Sequence, residues 1–173
     1  SLIRRLGPGQ AMLFECYGLP SEVFLDDFAR TFDPAQSQLA FSPDSADQAT
    51  RGRYKGYNYS NAALETCLQA CARRGIRTTV YFTLLPDDGW EEVRRLRILQ
   101  RSMRQRPGCE VLTLPIEVEP GAAWQQDPAE YSLGHGPYDL DYFLRRHRTI
   151  STPPGPDTWH GEEMEEMLRY LET

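Results

Sequence analysis

Apolar and polar side chains alternate with a period of two in four stretches of this chain, residues 12–17, 39–45, 78–85 and 111–119. Such alternation predicts β-strands, because successive side chains of a strand point to opposite faces. On one parity stand Phe14, Leu39, Phe41, Val80, Phe82, Leu84, Leu112, Leu114, Ile116 and Val118. On the other stand Glu15 and Tyr17, Ser42 and Asp44, Thr79, Tyr81 and Thr83, and Thr113, Glu117 and Glu119. Strands joined by helices pair in parallel, and helices on both faces make them apolar throughout. These runs are apolar on one parity alone, so the expectation is one face packed on helices. The other face is expected to meet solvent, a ligand or another polypeptide.

Helical spacing fills the intervals. Val23, Phe24, Phe28 and Phe32 recur on one side of residues 21–32. Ser60 or Asn61 is placed to cap a helix that runs to Ala72 and stops at Gly75. A further helix starts near Trp90, with a cap expected from the turn Pro86-Asp87-Asp88-Gly89, and ends at Pro107-Gly108. Residues 46–59 read as an irregular or partly helical connection. The order strand–helix, repeated, is that of βαβ units with right-handed crossovers. After Gly121 the texture changes to Gly, Pro and Asp, and residues 160–171 form an amphipathic pattern with Met164, Met167, Leu168 and Leu171 on one side. The expected division is an α/β part over residues 1–137 and a helical C-terminal extension over 138–173 that packs elsewhere.

A length of 173 residues suits one core. No apolar run reaches the ~20 residues that span a bilayer, and residues 2–9 are too polar for a signal sequence. The net charge of -6 argues against nonspecific nucleic-acid binding, which cation–phosphate contacts drive. The arginines of residues 94–106 alternate with Leu96, Leu99 and Met103, as on a solvated helix face. Cys67 and Cys71 share an apolar stripe with Leu64 and Leu68 and read as buried small hydrophobes rather than metal ligands. Cys16 and Cys109 complete a set of four cysteines without a disulfide pattern, which points to a reducing cytoplasm. His135, His147 and His160 do not recur at ligand spacing.

Candidate chemistry gathers where the strands end. Glu15-Cys16-Tyr17-Gly18, Ser42-Pro43-Asp44-Ser45, Thr83-Leu84-Leu85-Pro86 and Glu117-Val118-Glu119-Pro120-Gly121 occupy the C-terminal ends, where parallel sheets place their ligands. Glu117 and Glu119 share one side of their strand. As paired carboxylates they would suit glycoside hydrolysis, but four strands lack half of the wall of a complete barrel.

The stretches LFECYGLP, LAFSPDS followed by RYKGYNYSN, VYFTLLPDD and LPIEVEPGAAWQQDPAEYSL, in this order, resemble the later strands of the radical S-adenosylmethionine superfamily. The likeness is greatest to its cobalamin-dependent members and covers residues 12–133. It implies the later βα units of a partial (β/α)6 barrel. It further implies that Glu15 takes the methionyl ammonium, that Ser42, Asp44 and Ser45 take the ribose, that Arg53 or Lys55 neutralises the methionyl carboxylate, and that Tyr81 lines the cofactor or substrate cavity, with Trp124 and Tyr131 over its mouth. Glu117 and Glu119 then face substrate. The superfamily's CxxxCxxC loop for a [4Fe-4S] cluster is missing, as is a cobalamin domain. The resemblance therefore implies a partner, an upstream part of the same protein that carries both. The implied activity of the whole is methyl transfer to an unactivated carbon or phosphorus centre of a small-molecule or peptide substrate. Alternatives are non-methylating radical chemistry and a cluster-free scaffold module.

Overall fold

The computed structural model describes residues 9–55, 59–85, 88–115, 126–127 and 162–173, with the side chains of Tyr54 and Lys55 outside that set. Four strands, β1 (Leu13–Cys16), β2 (Gln38–Asp44), β3 (Arg77–Leu84) and β4 (Cys109–Pro115), form one sheet in the order β1-β2-β3-β4. Every pairing is parallel. Helices α1 (Glu22–Thr31), α2 (Gln48–Lys55), α3 (Asn61–Arg73), α4 (Trp90–Arg104) and α5 (Glu162–Glu172) accompany them.

Local chemistry explains the element boundaries. Ser21 caps α1 by accepting from Phe24 N at 3.2 Å, and Ser60 caps α3 by accepting from Ala63 N at 3.0 Å. The connection after β2 is firmer than its sequence indicates. The Asp47 carboxylate accepts from Thr50 N at 2.7 Å, and α2 follows. Gly75 ends α3 at φ 68°, a left-handed turn that costs glycine nothing. At α4 the outcome differs. Gly89 is the cap residue and offers no side chain, while the Asp88 carboxylate turns back to accept from Leu85 N at 2.8 Å.

One buried cluster lies between the sheet and the helices. Cys16, Leu39, Phe41, Val80, Phe82, Leu84 and Val111 come from the strands. Leu25 and Phe28 of α1, Leu64, Leu68 and Cys71 of α3, and Val93, Leu96 and Met103 of α4 meet them. Burying each Leu- or Phe-sized side chain contributes roughly 1.5–3 kcal/mol. Cys67 is buried in the same stripe, as its spacing predicts.

The expected facing of β4 is reversed. Register aligns Val111 with Val80 and Thr113 with Phe82, and neighbours in a parallel ladder share a face. Thr113 therefore lies on the helix face, where it pairs with the Gln100 amide of α4. Leu112 and Leu114 pair with Tyr81 and Thr83 on the opposite face, 36% and 55% exposed. That face mixes oxygens with Leu13, Leu112 and Leu114 rather than carrying oxygens alone.

The arginines of α4 form the solvated face their spacing predicts: Arg94, Arg95, Arg101 and Arg104 are exposed, while Arg97 is half-buried 4.0 Å over the Tyr170 ring. Arg104 also donates to two backbone carbonyls, and Arg106, just past the helix, approaches Glu65 at 3.4 Å. Helix α5 buries Met167 and Leu171 in the common core, and Trp90 of α4 meets Tyr170 edge-on at 5.7 Å. The end of the extension thus packs on α4 and β4 instead of elsewhere.

Candidate functional site

The opposite face gathers several of the expected residues. Glu15 aligns with Ala40 in register, which puts Ser42 one step further along the same side. The Ser42 hydroxyl donates to Glu15 Oε1 at 3.0 Å, so neighbouring strand ends are joined by a charge-assisted hydrogen bond. Deeper on this face Gln38 donates to Thr79, and the Thr79 hydroxyl lies 3.4 Å from Glu110. That polar ladder fixes the N-terminal half of the face and leaves the strand ends for binding.

Pro43 interrupts the β2–β3 ladder because it carries no N–H. The register shifts between Phe41 and Asp44, and Asp44 takes φ 60°, alone among the described non-glycine residues. Ser45 N donates to Pro43 O at 2.8 Å, closing a γ-turn centred on Asp44. Aspartate tolerates this conformation better than most residues, yet the turn stores of order 1–3 kcal/mol. Its effect is to aim the Asp44 carboxylate along the C-terminal rim, where Thr83 Oγ1 lies 3.4 Å away.

Ser45 is differently used. Its hydroxyl accepts from Asp47 N at 3.0 Å and its carbonyl accepts from Arg51 at 2.8 Å, so it shapes the turn into α2. Tyr81 is half-buried on the opposite face between Thr79 and Thr83. Lys55 closes α2, its side chain lying outside the described residues. Glu117 and Glu119, with Trp124, Tyr131 and the three histidines, also lie outside them.

Arg51 is the residue that sequence reasoning passed over in favour of Arg53 and Lys55. It is fully buried, and its guanidinium donates to Tyr59 O at 2.6 Å, Ser45 O at 2.8 Å and Asn61 Oδ1 at 2.6 Å. It also stacks 4.9 Å from the Tyr59 ring centre. One side chain thereby ties the strand-end turn to α2 and to the start of α3. A charged residue in a stretch without helical periodicity gives no sequence signal of burial.

Beside this rim a cleft is lined by Asp44, Ser45, Thr83, Asp88, Glu92 and Val93 among others. Its enclosed volume of ≈ 10 Å³ accommodates about one water. On the face away from the helices Ala40, Ser42 and Thr79 are buried, while Glu15, Leu112 and Leu114 are exposed. Burial, then Cys67 and Glu15, push the Cys16 thiol up to about 12. A hydrogen bond donated to Cys67, together with burial, pushes Cys71 up as well, and accepting that bond lowers Cys67. Among the described residues no three His, Cys, Asp or Glu side chains converge to hold a metal. The carboxylates at the rim suit an ammonium and sugar hydroxyls. No protein-family model matches the chain, and no curated protein matches it.

Proposed function

We propose that this chain supplies the later strands of a radical S-adenosylmethionine enzyme, most like the cobalamin-dependent methyltransferases, and forms part of its S-adenosylmethionine site and one wall of its substrate cavity. The observation that carries the reading is the placement of Glu15, Ser42 and Thr83 toward the ends of three adjacent parallel strands on the face away from the helices, with the Asp44 carboxylate at the rim 3.4 Å from Thr83 Oγ1. Four strands in sequential order with helices on one face are compatible with part of a barrel.

In this reading Glu15 accepts a hydrogen bond from the methionyl ammonium, with Ser42 holding its carboxylate in position. Asp44, presented by the strained turn, accepts from ribose hydroxyls. Ser45 acts through the backbone it shapes, and Arg51 holds that backbone still. Lys55 and Tyr81 are assigned to the same ligand, and Glu117 and Glu119 to substrate. S-adenosylmethionine, when bound, supplies the transferable methyl group, and cluster and cobalamin come from an upstream part of the same polypeptide. The protein's part is to orient and to exclude water while the cofactors supply reactivity. The site of action is the cytoplasm, and the acceptor is an unactivated carbon or phosphorus centre.

The test uses the complete polypeptide encoded by the parent reading frame, reconstituted anaerobically with iron, sulfide and hydroxocobalamin. Equilibrium dialysis with S-adenosylmethionine should show binding, and Glu15→Gln should weaken it about tenfold or more, the loss of one charge-assisted hydrogen bond. A polypeptide that takes up neither a cluster nor S-adenosylmethionine removes the proposal. One that binds both without a cobalamin absorption band leaves radical chemistry and removes methyl transfer by cobalamin.

A further inference from the structure

Helices α4 and α5 carry opposite charge side by side. Helix α4 holds five arginines against two glutamates, and α5 five glutamates against one arginine. The two helices meet, yet among the described residues no ion pair joins them. Arg97 stacks on the Tyr170 ring and donates to the Thr173 hydroxyl at 3.0 Å, and Arg104 donates to Leu171 O at 3.3 Å. The ion pairs stay within each helix, Arg95 with Glu91 and Glu92 on α4 and Arg169 with Glu165 on α5. Arg94, Arg101, Glu162 and Glu166 are exposed, and none of them has an ion pair among the described residues.

These four side chains line the two banks of one groove. Trp90, Arg97 and Arg104, seven residues apart, form the side of α4 that meets α5. At 3.6 residues per turn Arg94 and Arg101 lie about 50° round from that side, away from the buried Val93 and Leu96, and Ile98 about 100°. On α5 Tyr170 marks the side toward α4, and Glu162 and Glu166 lie about 60° from it, away from the buried Met167 and Leu171. Glutamates in the first turn of α5 and arginines in the last turn of α4 suit the helix dipoles. That accounts for Glu162 and Arg101. It does not account for Arg94 and Glu166, each in a second turn, or for Ile98, which stands between the two unpaired arginines at 72% exposure.

We propose that the surface formed by α4 and α5 is a two-fold interface between copies of this chain, with α4 of each copy lying on α5 of the other. A two-fold axis along the groove sets arginines on glutamates twice over. An axis across the groove sets α4 on α4, arginine against arginine. The charges thereby select one of the two symmetric arrangements, and each Ile98 is covered by the facing helix. Helices about 22 and 16 Å long and about 10 Å wide give a footprint of roughly 400 Å² a side, half that of a standard interface. The pairing is accordingly weak, with a dissociation constant of order 10–100 μM. A net charge of -6 disfavours nucleic acid as the occupant, and the chain itself carries the complementary surface. The interface lies on the helix side of the sheet, away from Glu15 and Ser42, and is independent of the proposed S-adenosylmethionine site.

Sedimentation equilibrium of this chain tests the pairing. Dimers should form at about 50 mM NaCl and lose about tenfold in affinity by about 500 mM, as screening shortens the reach of the charges. Arg94→Glu combined with Arg101→Glu should weaken the dimer about 30-fold, several exposed pairs turning from attraction to repulsion at once. Glu162→Arg combined with Glu166→Arg should do the same. Mixed in equal amounts, the two variants should form a dimer about as tight as the natural one, because each reversed helix then faces its complement. Circular dichroism melts should show both variants folded, and a purely structural role for these residues predicts no recovery on mixing. Three results overturn the proposal: a monomer at about 1 mM chain, a dimer indifferent to the reversals, or weakening that mixing does not repair. A monomer that binds polyglutamate through Arg94 and Arg101 overturns it as well, assigning the groove to a foreign acidic partner. S-adenosylmethionine binding is read in a separate experiment, so either conclusion stands or falls without the other.

Discussion

Arg51 shows how much of the strand-end geometry depends on a single side chain. It donates to Tyr59 O, Ser45 O and Asn61 Oδ1 from a fully buried position, and hydrogen bonds from a charged group contribute about 1.5–3 kcal/mol each. Arg51→Met leaves two carbonyls and an amide oxygen without that donor and should cost about 3 kcal/mol, read as a fall of roughly 6–12 °C in melting temperature. Arg51→Lys should restore less than half, since an ammonium lacks the planar fork that reaches three acceptors. Cys16 contributes to the alkaline behaviour together with Cys71 and Cys109, which are also pushed up. Its folded pKa of about 12 lies above the ordinary value of 9.0, chiefly because it is buried. Below pH 9 both folded and unfolded states keep this proton, and its stabilising contribution is complete. Between about 9 and 12 only the unfolded state loses it, so stability falls as pH rises. Urea denaturation from pH 8 to 11 should show that fall, and Cys16→Ala should make it shallower, with Cys71 and Cys109 retaining the remainder.

Among the elements, β4 separates pattern from placement most sharply. The stretch CEVLTLP presents Leu112 and Leu114 as its stronger apolar parity, yet the register buries Val111 and turns those leucines outward. The reason lies on α4. Gln100 is buried on the apolar side of that helix and needs a polar neighbour, which Thr113 provides. Val111→Ala should therefore cost about 1–3 kcal/mol, whereas Leu114→Ser should stay within about 0.5 kcal/mol. Equal losses in thermal denaturation would mean the opposite facing. Helix α2 was hidden for a related reason. Its sequence QATRGRYK has no apolar stripe, and a side-chain cap and the anchored Arg51 hold it instead. Caps that were legible, at Ser60 and Gly75, depend on bonds within a few residues. Ser60→Ala should cost about 1 kcal/mol by denaturant titration.

For the molecule as a whole, the described helices α1, α3, α4 and α5 share one core on one face of the sheet. The arrangement is an α/β fold with a four-stranded parallel sheet, and no helix among the described residues is long and apolar enough to cross a membrane. Helix α5 packs on α4 and β4 and adds Met167 and Leu171 to the common core. Leu171→Ala should cost about 2–5 kcal/mol, as for other buried leucines. If α5 were a loosely attached tail, the same substitution would leave the denaturation midpoint unmoved.

Strand and helix alternation, the capping serines, the left-handed stop at Gly75 and the apolar stripe of α3 follow from residues near one another in the chain, because period and hydrogen-bonding chemistry act over a few positions. Which face of β4 meets the helices, that Glu15 and Ser42 join across two strands, and that Arg51 is buried depend on how separate elements pack, whether their partners lie 27 residues away, as for Glu15 and Ser42, or 6 to 10, as for Arg51. A period of two distinguishes two faces without saying which one touches a helix. Side-chain packing between elements makes that choice, and with it decides where the oxygens of this chain converge.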